Sequence, residues 1–435
     1  MWKAVPTQGA EMPIKSFASH DSVLQVAAFR RVLAANIISL LGDGVANVAV
    51  VVAMVQIGAG AQGLGVVTAA RLVPTLVLVL LGGVWADRLA RRTLMIASNV
   101  ARGACQLVLA VLLLTREPDL GVFVMVAVGY GLASAFYFPA AGGILRDCVP
   151  QDRLQQAVGY NSLGFSIGSV AGPAVGGVLV AFFGVGWAYA VDATSFALSA
   201  VLLLLARVTQ VARPTAADSS LWGEVAVGFQ AVRQRTWAWS AMLYSAVYQF
   251  AVLGVLFVVG PVLIAEEYGG SRSLGLAVAA AGLGNVLGGL LLLRWRSPRL
   301  LHRSFVLMLL TAVILVALAL KLPFPVVLVG EVLFGLAMAF SVAAWETTLQ
   351  THIPGDVLSR VSSYDWLAST ALRPLGFLVA GFVSVAVSST AIFALATVVL
   401  LIATAVVLSL RGIRDLPTTP PTPPTEETHE CSAAV

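Results

Sequence analysis

Twelve long apolar runs dominate the sequence and restrict the folds that this chain can adopt. Windows of about 19 residues place them at 32–55, 64–86, 93–114, 120–141, 158–182, 186–206, 237–262, 274–294, 303–321, 324–345, 366–387 and 389–410. Each run is long enough for a helix to cross the roughly 30 Å hydrocarbon core of a bilayer. The runs are too long for the strands of a transmembrane barrel and lack their alternation. The sequence therefore predicts an all-α membrane protein with twelve transmembrane helices.

The composition excludes the soluble classes of protein. Hydrophobic residues make up 59% of the chain and charged residues 11%, whereas about 25% of the residues in a soluble domain are charged. The net charge of +5 does not indicate nucleic-acid binding, because the basic residues lie in short loops without interleaved aromatics. The expected surroundings are a lipid bilayer, and no nucleic-acid partner is expected.

Residue types that carry catalysis or bind metals are scattered through the chain. The three cysteines lie far apart, and the four histidines lie in loops and tails without metal-ligand spacing. No phosphate-binding motif of the Walker type is present, so ATP is not the expected energy source. An intramembrane enzyme needs a catalytic His, Ser or metal cluster within its helices, and none is visible. We therefore expect no enzyme activity, no cofactor and no metal site.

The distribution of basic residues predicts how the helices are oriented. With the N-terminus assigned to the cytoplasm, 20 of the 26 Lys and Arg residues fall inside, three outside and three within the apolar runs. This strong positive-inside bias places both termini in the cytoplasm. The first 28 residues lack the apolar core of a signal peptide. The prediction is a multi-pass protein of the cell membrane whose first helix directs its own insertion.

The two halves of the chain repeat each other. Residues 149–163 and 353–367 share Pro, Asp, Leu and Tyr at matching positions. Parallel repeats of this kind occur in transporters that rock around a site near the bilayer midplane. The predicted parts are a cytoplasmic tail (1–28), a six-helix bundle (29–206), a cytoplasmic loop with a surface amphipathic helix (207–236), a second bundle (237–411) and a disordered Pro/Thr-rich cytoplasmic tail (412–435). A monomer is expected, although the sequence leaves the oligomeric state open.

A charged loop follows the second apolar run. It reads Gly83-Val-Trp-Ala-Asp87-Arg88-Leu-Ala-Arg91-Arg92 and resembles the signature of the major facilitator superfamily, Gly-x-x-x-Asp-Arg/Lys-x-Gly-Arg-Arg/Lys. The resemblance implies a cytoplasmic latch that holds the two halves together in the outward-facing state. Alanine occupies position 90, where the family usually has glycine. The alternative interpretation is that the arginines only set the topology.

The fifth apolar run carries a second motif of this family. Its small residues are Gly168, Gly172, Pro173, Gly176 and Gly177, and they resemble the antiporter motif Gly-x-x-x-Gly-Pro-x-x-Gly-Gly. The resemblance implies export driven by a proton gradient. Small residues four apart also allow ordinary close packing of helices, which is the alternative interpretation.

The first two apolar runs indicate which branch of this family the chain resembles. Arg30 through Gly44, together with the Arg71 to Pro74 segment, resembles the branch of enterobactin-type siderophore exporters and macrolide efflux proteins. The resemblance covers about residues 29–411. It implies two pseudo-symmetric six-helix bundles and secondary transport of a small organic compound by alternating access. An antibiotic, another drug-like molecule or a siderophore is the expected cargo. The alternatives are import or facilitated transport of a small metabolite, and a polytopic membrane protein that does not transport.

Three carboxylates inside the apolar runs are candidates for proton coupling. Ionisable residues within the bilayer are costly and are functional hypotheses by default. A carboxylate in a low dielectric takes up a proton more readily than one in water. The order of preference is Asp43, Glu331 and then Asp192.

Three arginines also lie within the apolar runs, at Arg71, Arg102 and Arg373. Asp43 has an alternative role in a permanent ion pair with Arg71 or Arg102, which would orient the helices and never titrate. Both interpretations of Asp43 stay open at this point. Arg373 is expected to support the cytoplasmic latch rather than contact substrate.

Aromatic residues in two apolar runs are candidates for lining a substrate cavity. They are Phe136 and Tyr137 in the fourth run and Tyr244 and Tyr248 in the seventh. Aromatics in such helices also pack internally or form belts at the membrane interface.

Overall fold

The structure is a computed structural model that describes residues 23–88, 90–116, 118–150, 153–208, 230, 232–295, 297–353, 361, 365 and 371–418, with backbone alone at 79–88, 146, 155, 166, 170 and 293. The long helices are α1 Ala27–Gln56, α2 Gly60–Arg88, α3 Arg91–Thr115, α4 Leu120–Cys148, α5 Leu154–Phe183, α6 Val185–Leu205, α7 Thr236–Glu267, α8 Gly270–Arg294, α9 Leu300–Ala319, α10 Phe324–His352, α11 Arg373–Ala386 and α12 Ser389–Ser409.

The predicted all-α membrane fold is confirmed. Eleven helices of the described chain are long and apolar enough to cross a membrane, and α11 is described over 14 residues. No strand occurs among the described residues. Two helices are interrupted: α7 contains a π-helical turn at Tyr248–Leu253, and α9 is divided between Leu300–Met308 and Thr311–Ala319. Apolar length decides where helices form, because backbone polar groups in lipid must be satisfied internally.

Local signals set several of the helix ends. The Asp119 side chain accepts a hydrogen bond of 3.0 Å from the Val122 amide at the start of α4. Ser388 caps α12 in the same way, through the Ala391 amide at 3.3 Å. Such caps satisfy one of the free amides of the first turn. Gly184 joins α5 to α6 at a φ of 86°, a conformation that favours glycine.

The helices form two bundles, α1–α6 and α7–α12, with the same internal packing. In the first bundle α1 packs on α5, α2 on α4 and α3 on α6; the corresponding pairs α7 with α11, α8 with α10 and α9 with α12 recur in the second. The pattern matches the sequence repeat and the predicted pseudo-symmetric architecture. Each bundle therefore presents related surfaces to the other.

The close approaches that the described residues make between the bundles lie at the end of the molecule that carries the α1–α2, α5–α6 and α7–α8 turns. A Cβ at Gly177 of α5 would lie 2.7 Å from the Cα of Gly275 in α8. A Cβ at Gly381 of α11 would lie 2.9 Å from the Ala61 carbonyl of α2. Only glycine allows such contact, so the bundles are closed against each other at this end, which we call the closed end.

The start of the C-terminal tail differs from the prediction of disorder from residue 412. Residues Arg411–Arg414 form one helical turn in which Ile413 is 0% exposed. The Thr418 hydroxyl donates to the Ser297 carbonyl at 2.6 Å and accepts from the Leu300 amide at 3.0 Å. Burial of an apolar side chain and these hydrogen bonds order residues 412–418 against the α8–α9 connection. Most of the predicted amphipathic helix and most of both tails lie outside the described residues.

Candidate functional site

Three helices of the first bundle bring polar side chains to one carboxylate on a fourth helix. Asp43 lies on α1, and its side chain is 17% exposed. Its Oδ1 lies 2.7 Å from Nη2 of Arg71 on α2 and accepts a hydrogen bond from the Tyr130 hydroxyl of α4. Its Oδ2 lies 3.9 Å from Nη1 of Arg102 on α3. Asp43 is therefore the common partner of two cations and a phenol, an arrangement we call the Asp43 cluster.

Both guanidinium groups of the Asp43 cluster have further neutral partners. Arg71 donates to the Asn47 side-chain oxygen at 3.3 Å, and Arg102 donates to the side-chain oxygen of Asn99. The Arg102 guanidinium also lies 3.9 Å from the ring centroid of Tyr137. A cation over an aromatic face is attracted by the ring quadrupole. These contacts fix the orientation of each cation without neutralising its charge.

A second carboxylate of the first bundle lies deeper in the protein. Asp192 on α6 is 0% exposed. Its Oδ2 accepts a hydrogen bond of 2.5 Å from the Gln106 amide of α3, and the Ser195 hydroxyl donates to its backbone carbonyl at 2.7 Å. Within the described chain no basic nitrogen lies at ion-pair distance from it. A Cβ at Gly42 would lie 2.5 Å from Asp192 Oδ1. Asp192 therefore lies against α1 at the residue that precedes Asp43.

A cavity of about 260 Å³ adjoins the Asp43 cluster. The Tyr137 hydroxyl donates to the Asn36 side-chain oxygen at 2.9 Å, and the Asn36 amide donates to Asn161 at 3.1 Å. Phe136, also predicted to line a cavity, is not among the lining residues of this one. The lining includes Asn36, Asp43, Arg102, Tyr137, Phe138, Asn161 and Phe165.

The second bundle has a cavity of about 200 Å³ between α7, α9, α10 and α11. Its wall contains both predicted tyrosines, Tyr244 and Tyr248, whose rings stack at 6.1 Å with an interplanar angle of 17°. Their hydroxyls bond inward to Thr404 and Thr311, each at 3.2 Å. The rings therefore form the cavity wall, while their polar ends are satisfied within the bundle.

Two of the predicted charged residues lie apart from the Asp43 cluster. Glu331 on α10 is half-buried and has no hydrogen bond or ion pair to a described residue. One turn further along, Phe334 packs against Phe257 of α7 at 6.5 Å. Arg373 lies in the wall of the 200 Å³ cavity and donates to the Gln249 side-chain oxygen at 2.8 and 3.0 Å.

The predicted latch motif is described only in part. Arg91 donates to the Gly143 carbonyl at 2.6 Å and lies 3.6 Å from the Asp147 carboxylate, both near the end of α4. Arg92 donates to the Leu203 carbonyl of α6 at 2.7 Å. Cations at helix C-termini are favourable because the terminal carbonyls carry partial negative charge. The motif residues Gly83, Asp87 and Arg88 are described by their backbone alone.

The glycines of the predicted antiporter motif form the contact between α5 and α1. A Cβ at Gly44, the residue after Asp43, would lie 2.6 Å from Cδ of Pro173. Gly177 instead faces Gly275 of the second bundle. The motif therefore determines how closely α5 packs against the part of α1 that carries Asp43. It also forms part of the contact at the closed end. Three motif glycines lie against α1 backbone or side chains, namely Gly168, Gly172 and Gly176.

Several of the polar side chains that surround Asp43 and Asp192 were not singled out by the sequence analysis. Asn99 and Gln106 flank Arg102 at spacings of three and four residues, so all three lie on one face of α3. That polar stripe in an apolar helix is a signal that the sequence contains. Tyr130 carries no such signal, because a single tyrosine in an apolar helix is also typical of packing.

Two helical bundles with internal charges at cavity walls define a polytopic membrane transporter. Residues 32–373 match the Major Facilitator Superfamily. The chain belongs to the Major Facilitator Superfamily, and it is a transporter rather than an enzyme. The resemblance read from the loop and helix motifs is thereby confirmed.

Three curated relatives carry transporter names. The uncharacterized MFS-type transporter YfiS of Bacillus subtilis is 31% identical over 172 residues, 39% of this chain and 40% of that protein. Macrolide efflux protein A of Enterococcus faecalis is 22% identical over 305 residues, 68% of this chain and 92% of that protein. Enterobactin exporter EntS of Salmonella typhimurium is 28% identical over 351 residues, 78% of this chain and 81% of that protein.

A solved structure shares the fold. It is a bacterial homolog of the human lysosomal transporter Spinster in an inward-facing and occupied conformation, with a TM-score of 0.68 and 16% identity. The match covers 91% of this chain and 98% of that one. At this identity the similarity supports the architecture and not the substrate.

Proposed function

We propose that this transporter is a proton-coupled exporter of a small organic compound. The cargo is an antibiotic, another drug-like molecule or a siderophore. The observation that carries the proposal is the Asp43 carboxylate, which two arginines and a tyrosine hold beside a cavity. The efflux and exporter names of two relatives support the direction of transport.

The orientation expected from the positive-inside bias gives the direction of entry. With both termini in the cytoplasm of a cell-membrane protein, the closed end faces outward. Cargo enters from the cytoplasm or the inner leaflet. Opening of the closed end and closure of the cytoplasmic end then release it outside, as alternating access requires.

The Asp43 cluster supplies a mechanism for coupling. As a carboxylate, Asp43 holds Arg71 of α2 and approaches Arg102 of α3. A proton taken up by this carboxylate from the outside removes its charge and weakens both attractions. The helices are then free to rearrange, and the proton leaves to the cytoplasm when the ion pair re-forms. Asp192 and Glu331 are the next candidates for the same role.

Transport by the purified protein in liposomes tests the proposal. An imposed pH gradient should drive at least one compound from a panel of macrolides, siderophores and fluorescent drugs against its concentration gradient, with a counterflow of protons. A protonophore should abolish accumulation. Failure to move any panel compound contradicts export of this cargo class, and compound and proton moving in the same direction identifies an importer.

A further inference from the structure

The wall of the cavity in the second bundle contains a cation, Arg373, that has no ion-pair partner among the described residues. Arg373 is half-buried in its wall, and its Nε and Nη2 both donate to Gln249 Oε1. No carboxylate of the described residues lies at ion-pair distance from this guanidinium, and its Nη1 has no partner among them. Arg71 and Arg102, by contrast, share Asp43. A cation within a membrane bundle is costly, and one without an acidic partner in the described part of the chain is a candidate for a functional role.

The local backbone holds Arg373 in this place. Gln249 lies in the π-helical turn Tyr248–Leu253 of α7, and such turns occur frequently at functional sites. A Cβ at Gly376, one turn after Arg373, would lie 2.5 Å from the Phe250 carbonyl. Close contact between α7 and α11 therefore brings the Gln249 amide to the guanidinium. The amide orients the cation and leaves its charge available.

The remaining walls suit an aromatic ring. The stacked rings of Tyr244 and Tyr248 face the cavity, and Phe305 meets Tyr244 edge-on at 4.8 Å. The same wall carries one acid, Asp365, whose carboxylate accepts a hydrogen bond of 2.9 Å from the Trp345 indole nitrogen and makes no ion pair with Arg373. The volume of about 200 Å³ is below the 300–1,000 Å³ typical of drug-sized sites. The cavity therefore accommodates one or two rings rather than a whole macrocycle.

We propose that this cavity binds an acidic aromatic group of the transported compound. The anionic oxygens pair with Arg373, and the ring lies among the aromatic side chains of α7, α9 and α10. The inference rests on the proposed transport function and adds a substrate class to it. It also gives Arg373 a different role from the latch support expected from the sequence.

Binding of a matched pair of small probes tests this assignment. The probes are 1-naphthoate and 1-naphthamide, which share a ring system and differ in charge. The affinity of each probe for the full chain in lipid nanodiscs is measured by equilibrium dialysis. The wild type should bind naphthoate at least tenfold more tightly than naphthamide. Arg373→Gln should remove that difference, and Arg373→Lys should keep part of it. Arg303→Gln is the matched control, because Arg303 lies 5.1 Å from the Trp295 ring and does not line the cavity.

A second variant keeps the test decisive if Arg373→Gln does not fold. Gln249→Glu is nearly isosteric and places a carboxylate on the guanidinium, so it should abolish naphthoate preference in a stable protein. Equal affinity of the wild type for both probes, or an unchanged ratio in Gln249→Glu, overturns the assignment. The measurement needs no ion gradient. A protein that exports under a pH gradient but lacks the acid preference therefore retains the proposed function and loses only this inference.

Discussion

At the scale of residues, the two bundles treat their buried charges differently. In the first bundle Arg71 and Arg102 lie near the carboxylate Asp43, with Asp192 on the adjoining helix. In the second, Arg373 has a neutral amide as its described partner. Charges within a bilayer protein are retained where pairing or function offsets their desolvation. The first arrangement is the basis of the proposed proton exchange, and the second is the basis of the proposed binding of an external anion.

Removal of the Asp43 charge should stop coupled transport without unfolding the protein. Asp43→Asn keeps an acceptor for Tyr130 but removes the titratable group, so uptake driven by a pH gradient should fall at least tenfold in liposomes. Asp119→Asn is the matched control, because asparagine caps helices as well as aspartate does. Normal coupling in Asp43→Asn would assign Asp43 a structural role and make Asp192 and Glu331 the next variants.

The Asp43–Arg71 pair should behave as one energetic unit. Asp43→Asn and Arg71→Gln each leave a charge with a weaker partner, whereas the double variant removes both. Residues in contact typically show coupling of about 0.5–3 kcal/mol, so the loss of stability in the double variant should be smaller than the sum of the two single losses. Denaturant unfolding of the four proteins in mixed micelles measures this coupling. Strict additivity would mean that the pair does not interact energetically.

At the scale of elements, the packing of α5 on α1 positions the Asp43 cluster. Glycines of α5 approach the α1 backbone, and a Cβ at Gly176 would lie 2.8 Å from the Cα of Val45. Small residues allow this approach, which in membranes provides the van der Waals contact that holds helices together. The position of Asp43 therefore depends on small residues of α5 that carry no charge.

A large residue in the α5–α1 contact should disturb both stability and coupling. Gly176→Leu forces the helices apart, and overpacking of this kind typically costs about 1–3 kcal/mol. Gly159→Leu is the matched control, because a Cβ at Gly159 of the same helix meets no atom within 4 Å. Thermal unfolding and pH-driven uptake should both decline in Gly176→Leu and stay near wild type in Gly159→Leu. Equal behaviour of the two variants would contradict a role for this contact.

At the scale of the whole molecule, the contact at the closed end must break during transport. A Cβ at Gly381 would lie 2.9 Å from the Ala61 carbonyl and 3.2 Å from the Cα of Gln62, so a larger residue there keeps α11 and α2 apart. Gly381→Leu should therefore prevent the contact at this end from re-forming after each cycle and reduce transport in liposomes at least tenfold. Gly289→Leu is the matched control, because a Cβ at Gly289 meets no atom within 4 Å. Equal transport by the two variants would contradict a requirement for this contact.

The hydropathy of the sequence predicted most of the helices to within a few residues. Predicted boundaries such as 120 for the start of α4 and 389 for the start of α12 coincide with the observed ones. The bilayer makes this possible, because a segment that crosses it must be apolar and must satisfy its own backbone. Shorter features such as the π-helical turn of α7 have no comparable hydropathy signal.

The side chains that meet were much harder to predict. Asp43 and Tyr130 are 87 residues apart and come from different helices, and nothing local in either helix specifies the other as a partner. Arg373 was assigned to the latch because its sequence position is near the predicted cytoplasmic end. Its partner Gln249 is 124 residues away, and the packing of α7 on α11 joins them.

The sequence alone determined the all-α membrane class, the family and the residues that carry charge into the bilayer. Those properties depend on the composition and spacing of contiguous segments, which solvation by lipid and water selects directly. Only the tertiary structure decided which charges share a partner, which cavity each faces and which end of the molecule is closed. Those properties depend on how helices far apart in the chain pack, and small residues such as Gly44 and Gly376 set that packing through contacts that local sequence patterns do not specify.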